Sequence, residues 1–315
     1  AMGMLTAVGI CDDVWRVSPL IRFCFQGGAV MLTIKTGGLV ISQLGDLFGL
    51  GPVVLDASAA LFTVFCVVGV INAFNMCDGL DGLAGGFALV VTGWLIVLSQ
   101  TGPGQHHADC IALMTLAAAI AGFLTFNLRH PWRARASVFM GDAGSTMLGL
   151  VVGWFLVQLS HGETRVMMPM TAVWVLAVPL LDAVTLMVRR TLAGRSPFGA
   201  DRRHLHHLLQ TFGWSHGRVT AVLLLVAIAS GGIGATAWWL RVPDYVQFYV
   251  FIGLFLVYYQ ATARIWAWLD VAPARIAVAR WQELVVWLLP IKFGLITKPL
   301  HRVNPEEECA ATPED

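Results

Sequence analysis

Apolar runs close to 20 residues long recur along most of this chain, and that length is what an α-helix needs to cross a bilayer at about 1.5 Å per residue. Bounded by Gly, Pro and charge, they fall at 20–36, 55–74, 84–101, 110–128, 143–160, 168–188, 219–240 and 246–267. They predict an all-α, polytopic transmembrane bundle of about eight full spans, because in hydrocarbon only helices and closed barrels satisfy their own backbone polar groups. Charge agrees: 12% of the residues are Asp, Glu, Lys or Arg, against the roughly one-quarter usual in a soluble domain. A water-soluble fold is not the expectation.

The opening shows no basic region, short apolar stretch and cleavage site of a secretory signal. Ala1 to Cys11 is apolar but too short to span before Asp12 and Asp13, and reads as the end of an incomplete N-terminal span. Residues 1–267 are expected to form one membrane-embedded catalytic domain. Residues 268–302 mix Trp281, Val285, Trp287 and Leu288 with Arg275, Arg280, Lys292 and Lys298, the pattern of an amphipathic basic helix lying on the cytoplasmic face of the bilayer. Residues 303–315 are acidic, contain Pro305 and Pro313, and are expected to be disordered. The six cysteines, Cys11, Cys24, Cys66, Cys77, Cys110 and Cys309, have no metal or disulfide spacing and read as free thiols.

The connections between spans alternate sides, and the basic residues gather on one of them. Arg16, Arg22, Arg129, Arg133, Arg135, Arg189, Arg190, Arg195, Arg202, Arg203, Arg264 and Arg275 fall on one side, and chiefly Lys35, Arg165 and Arg241 on the other. Short cytoplasmic loops are enriched in Lys and Arg, so the first set is assigned to the cytoplasm.

Four polar clusters map to that same side. Asp12–Asp13, with Arg16 and Arg22 after it, reads on its own as a solvated helix end. In Asn72-Ala-Phe-Asn75-Met-Cys-Asp78-Gly-Leu-Asp81-Gly, four amides or carboxylates recur at every third position, a spacing that puts neighbours on one helical face. Hard cations such as Mg²⁺ take oxygen ligands from one or two such groups and keep several waters. An Asx-rich helix cap is the alternative, although four donors exceed what a cap requires. The third cluster, Phe139-Met-Gly-Asp142-Ala-Gly-Ser145, precedes a span; Asp142 is either a helix cap or a metal ligand beside backbone N–H groups suited to a phosphate. The fourth is Ser196-Pro-Phe-Gly-Ala-Asp201-Arg202-Arg203-His204-Leu-His206-His207. It lacks the partners of a familiar zinc site, and its Arg and His donors suit a pyrophosphate, while a plain basic loop remains the alternative for the arginines. Asp182 lies inside an apolar run and flags function, since intramembrane carboxylates are usually paired or functional. His106, His107 and His161 fall on the other side and read as ordinary loop residues.

In these pieces the chain resembles the polyprenyl-phosphate N-acetylhexosamine-1-phosphate transferases, nearest to the bacterial branch that uses N-acetylglucosamine 1-phosphate and undecaprenyl phosphate. The resemblance rests on Asp12–Asp13, Asn72 to Gly82, Val138-Phe-Met-Gly-Asp-Ala-Gly-Ser145, and Ser196-Pro-Phe with Asp201-Arg-x-His-x-His-His207, in that order over roughly residues 10–265. It implies transfer of an amino-sugar 1-phosphate from a UDP-N-acetylhexosamine to a polyprenyl phosphate at the cytoplasmic face of a bacterial inner membrane, with UMP released. It implies Mg²⁺, with Mn²⁺ as a substitute, held by Asp142 and, at the position of Asn75, a second ligand. Asp12, Asp13, Asp78 and Asp81 are implied as the acids of the chemistry, with Asp12 or Asp13 orienting or deprotonating the lipid phosphate. Asn72, Asn75, Phe139, Arg202, His204, His206 and His207 are implied in substrate binding, Phe139 and Asp81 at the uracil and the histidine loop at the pyrophosphate. Two further spans are implied before the first Asp pair. A homodimer is left open and nucleic acid is not an expected partner.

Three other readings compete. The sister enzyme that transfers phospho-N-acetylmuramoyl-pentapeptide typically has consecutive histidines, which Leu205 interrupts here. An ion-coupled carrier would line a midplane path with acids such as Asp182. A noncatalytic membrane scaffold would not need the motifs intact.

Overall fold

The computed structural model describes residues 1–15, 17–102, 106–129, 133, 135–162, 165–196 and 203–271. Arg202 and Asp201, most of the 268–302 segment, and the whole of 303–315 lie outside the described residues.

Eleven α-helices are found among the described residues: α1 (Met2–Trp15), α2 (Pro19–Gly37), α3 (Ala59–Cys77), α4 (Leu83–Thr101), α5 (His107–Asn127), α6 (Gly141–Ser160), α7 (Pro169–Val175), α8 (Ala177–Leu192), α9 (Leu205–Thr211), α10 (His216–Trp239) and α11 (Asp244–Val271). An isolated antiparallel bridge between Gln43 and Val54 stands alone between α2 and α3. Five cysteines are described and all are free thiols.

The class is the expected one, but the spans differ in number. Six helices are long and apolar enough to cross a membrane, α3, α4, α5, α6, α10 and α11, and a seventh span is counted if α7 and α8 are taken together. That pair, expected as one span over 168–188, is bent by 86°. The break sits at Leu176, and Pro179 explains why it cannot heal: proline has no N–H to donate to the carbonyl four residues earlier, and its ring crowds that carbonyl. The run at 20–36 does form a helix of 19 residues, started by Ser18, whose hydroxyl accepts from the Ile21 N–H, and by Pro19 at its first turn. It carries Arg22, Gln26 and Lys35, and these lower its apolar character below that of the six.

Packing sorts the helices into a centre and a rim. In the most apolar stretches of α4 and α6, 61% of residues are buried, against 22% in α5 and 17% in α11, so the first two form the middle and the last two face lipid. The main apolar core joins Phe74, Leu83, Phe87, Leu95, Leu148 and Leu223 from α3, α4, α6 and α10. Helices approach closely where side chains are small. At Gly9 of α1 a Cβ would fall inside the van der Waals shell of the Ala143 backbone on α6. That contact fixes the height at which α1 delivers Asp12 and Asp13.

Candidate active site

One end of the bundle collects the C-terminal ends of α1 and α3, the N-terminal end of α6 and the short helix α9. The polar residues there begin with a ladder between α2 and α3. Arg22 and Gln26 lie one turn apart on α2, and Asn72 and Asn75 one turn apart on α3, so the two pairs meet rung by rung. Asn72 Nδ2 donates to Gln26 Oε1 at 2.8 Å, and Arg22 Nη2 donates to Asn75 Oδ1 at 3.3 Å.

Arg22 is the hub. Its Nη1 bonds the Asp12 carboxylate and donates to Asp142 Oδ2 at 3.2 Å. Asn75 Nδ2 in turn donates to Asp142 Oδ1 at 2.6 Å and to Ser145 Oγ at 3.0 Å. The Val17 N–H donates to Asp12 Oδ1 at 2.7 Å, and the Asp142 N–H donates to Asp13 Oδ1 at 3.0 Å. Asp13 thus caps α6, and Gly141 is required beside it: its φ is +66°, and a Cβ would stand 2.8 Å from Asp13 Oδ2. Asp12 is buried, Asp142 half-buried and Asp13 exposed.

The every-third-residue pattern on α3 holds only in part. Asn72 and Asn75 share the face toward Arg22, but the helix stops at Cys77, and Asp78 to Gly82 form a turn. Asp78 stays with the cluster. Burial, then the neighbouring Asp142, Asp13 and Asp81 carboxylates, push its carboxyl up to about 7, against an opposing bond from the Gly141 backbone. Asp81 swings away: its Oδ2 accepts from Arg129 Nε at 2.6 Å and from the Ala136 N–H at 3.4 Å. It therefore tethers the segment that carries Phe139, a residue 79% exposed.

The fourth motif arrives from the other flank. His204, His206 and His207 are grouped at the start of α9, with the His206 and His207 ring centroids 4.2 Å apart. His206 is buried, and its Nε2 has no hydrogen-bond partner. That nitrogen faces Gly79 in the α3–α4 turn, where a Cβ would lie 3.2 Å from it. Burial, with His207 and His204 adding to it, pulls its pKa down to about 3, so it works as a neutral imidazole. All four motifs, apart from the residues outside the described set, thus meet at one end of the bundle.

Several residues of this site are not predicted by motif reading. Arg22 enters the sequence argument only as a basic residue that follows the Asp12–Asp13 pair, yet it ties α2 to α1, α3 and α6. Asn127, at the end of α5, accepts the Gly82 N–H at 2.8 Å and donates to the Val138 carbonyl at 2.7 Å, tying the α3–α4 turn to the Phe139 segment. Polar side chains on otherwise apolar helices, Gln26 and Asn127 among them, are the signal that points to them.

The metal reading can be weighed on the donor set. Among the described residues no group of three or more His, Cys, Asp or Glu forms a ready-made chelate. Arg22 nevertheless pairs with both Asp12 and Asp142, while Asp13 and Asp78 stand beside them without a guanidinium of their own, and burial, then the neighbouring carboxylates, hold the Asp78 carboxyl up. Such an excess of carboxylate oxygen suits a hard divalent cation that takes few protein ligands and completes its shell with water and phosphate. Asp142 and Asn75 are the residues that would hold it.

From the Asn72 and Met76 level of α3, an apolar cavity of about 680 Å³ runs between α3, α6, α7, α8 and α11 toward Ile41 and His161 at the opposite end.

Comparison with known proteins places the chain among relatives. The profile of glycosyl transferase family 4 matches residues 1–160. The undecaprenyl-phosphate alpha-N-acetylglucosaminyl 1-phosphate transferase of Escherichia coli O157:H7 is 37% identical over 266 residues, covering 84% of this chain and 71% of that protein. The proteins of the same description from Yersinia pestis and Haemophilus influenzae are 36% and 34% identical, covering 84% of this chain and 72% and 74% of their own lengths.

Proposed function

The chain belongs to glycosyl transferase family 4, and we propose that it transfers N-acetylglucosamine 1-phosphate from its UDP-sugar to undecaprenyl phosphate at the cytoplasmic face of a bacterial membrane, releasing UMP. The observation that carries this reading is the meeting of Asp12, Asn75 and Asp142 around Arg22, with Asp13, Asp78 and the histidine loop beside them, at the end of the bundle from whose Asn72 and Met76 level an apolar cavity runs. A lipid phosphate would enter with its chain in hydrocarbon and its head at Arg22, while the nucleotide arrives from water.

In the transfer, an oxygen of the lipid phosphate bonds to the sugar-bearing phosphorus of the donor, and the bond from that phosphorus to the bridging oxygen breaks, leaving with UMP. Both reactants are anions, so the protein must neutralise and align them. Arg22 would hold the acceptor phosphate, with Asp12 or Asp13 removing or orienting its proton. His206 Nε2, aimed at the turn after α3, would meet a phosphate oxygen of the donor. Phe139, tethered through Asn127, would cover the uracil. Mg²⁺ at Asp142 and Asn75 would supply the neutralising charge on the pyrophosphate.

Likeness to the N-acetylglucosaminyl 1-phosphate transferases favours N-acetylglucosamine over the muramoyl-pentapeptide substrate. The carrier reading needs Asp182 to line a path, but both of its oxygens are hydrogen-bonded within the protein. The test is UMP release from membranes given undecaprenyl phosphate and each of several UDP-amino sugars, with Mg²⁺ and with a chelator. Release confined to another sugar, or none with any donor, would overturn the reading.

A further inference from the structure

A buried carboxylate beside the histidine loop is not used by the transfer itself. Asp182 lies in the first half of α8, 7% exposed, and three groups converge on it: His204 Nδ1 at 2.8 Å from Oδ2, and the Leu205 N–H at 2.9 Å and the Tyr258 hydroxyl at 2.8 Å from Oδ1. It thereby joins α8, the start of α9 and α11. A carboxylate in an apolar setting is tolerated when its lone pairs are filled in this way. A carboxylate only accepts, so the proton on His204 resides on Nδ1. The His204 ring lies nearly parallel to that of His206, with an interplanar angle of 9° and centroids 5.6 Å apart. His206 then points its buried, unpartnered Nε2 at Gly79.

We propose that Asp182 is a positioning residue: by accepting the Nδ1 proton of His204 it fixes that ring's tautomer and plane, and through the parallel rings it holds His206 Nε2 toward a phosphate oxygen of the donor beside Gly79. This rests on the transfer reading above for the identity of the donor. The tautomer itself does not.

The alternative is a staple that holds three helices together and nothing more. Asp182→Asn separates the two. Asparagine keeps the shape, and its Oδ1 still accepts from Leu205 and Tyr258, but its Nδ2 donates where the carboxylate accepted. His204 Nδ1 must then give up its proton, and the proton moves to Nε2. An aspartate orienting a histidine in the serine proteases behaves this way when amidated.

The experiment uses the full chain in nanodiscs with ¹⁵N-labelled histidine, the His204 signals being assigned by their loss in His204→Phe. The expected result is an Nδ1–H tautomer in the wild type and Nε2–H in Asp182→Asn, whose kcat for UMP release falls about a hundredfold, the scale of a 1 Å misplacement. Tyr258→Phe, which removes one bond without touching the tautomer, should lose no more than about tenfold. A wild-type Nε2–H tautomer, an unchanged tautomer in Asp182→Asn, a kcat for that variant within threefold of wild type, or an equal loss in Tyr258→Phe would each overturn the proposal. Should Asp182→Asn not fold, His204→Phe decides: it keeps a ring beside His206 and drops the bond, and a kcat within threefold of wild type would refute the positioning role. A wild type without activity toward UDP-N-acetylglucosamine would count against the transfer reading, while the tautomer measurement would still decide the Asp182–His204 link.

Discussion

The backbone N–H of Asp142 donates to the carboxylate of Asp13 at 3.0 Å, across 129 residues of sequence. Asp13, near the end of α1, is therefore an N-terminal cap of α6, while its neighbour Asp12 pairs with Arg22. One bond joins the residues assigned to the acceptor with those assigned to the metal, so displacing either helix disturbs both functions.

Helix α1 is held at this height by its close approach to α6 at Gly9. Gly9→Val would force the helices apart, because the obstacle is the Ala143 backbone and not a side chain that can swing away. Turnover should fall about a hundredfold and the thermal midpoint by several degrees. Gly3→Ala, which adds a methyl into open space, should leave both unchanged. The comparison is made in purified protein, and full turnover in Gly9→Val would show that the α1–α6 contact does not set the acids.

Asp142→Asn replaces one carboxylate oxygen by nitrogen at almost constant shape. If Asp142 holds the cation, UMP release should drop by about a thousandfold or more, in line with several kcal/mol of transition-state stabilisation. Raising Mg²⁺ should recover part of it. A folded variant with near-normal rate at low Mg²⁺ would remove Asp142 from the metal site.

The proton on Asp78 has a defined sign. Its pKa is raised from 3.8 to about 7 in the folded chain, first by burial and then by Asp142, so between those values the folded state holds a proton that the unfolded state has lost. Stability of the metal-free protein should fall as pH rises from about 4 through about 7. Asp78→Asn should flatten that part of the curve. Thermal midpoints in chelator across this range measure it, and parallel curves would show that Asp78 does not titrate there.

Asn127→Ala cuts both ties between the α3–α4 turn and the Phe139 segment. The donor KM should rise about thirtyfold, as expected from the loss of two hydrogen bonds at about 1 kcal/mol each, while the KM for the lipid stays near wild type. An equal rise in both would point to a general loss of structure.

Orientation is testable without activity. In a version lacking its own cysteines, Ser215→Cys, at the site end, should label only from the cytoplasm, and Ala57→Cys, between α2 and α3, only from outside. Labelling of Ser215→Cys from outside would reverse the assignment.

Much of this was legible before the structure because membrane helices announce themselves by length and composition, and because Asp12, Asn75, Asp142 and His206 belong to dense polar motifs. What the sequence could not supply was pairing. Arg22 is visible in the sequence beside the Asp12–Asp13 pair, but its bonds to Asn75 and Asp142 come from α3 and α6, and the partners of Asp182 come from positions 204, 205 and 258. The break at Leu176 was hidden for another reason: a proline in an apolar run is tolerated in membranes, and only packing decides whether the helix kinks there or parts. Asp81 misled the periodic reading because three-residue spacing means a shared face only while the helix lasts, and α3 ends at Cys77.

The Asp13–Asp142 cap also sets a schedule for biogenesis. Chains are made from the N-terminus at about 5–20 residues per second, so the acid pair waits on the order of ten seconds for its receptor. During that interval Asp12 has a partner only ten residues away, Arg22. Their local ion pair can form as soon as α1 and α2 meet, and it lowers the penalty of carrying both charges at the membrane while the later helices are made. The same arginine that ends as the hub of the finished site serves first as the counter-ion of an unfinished one.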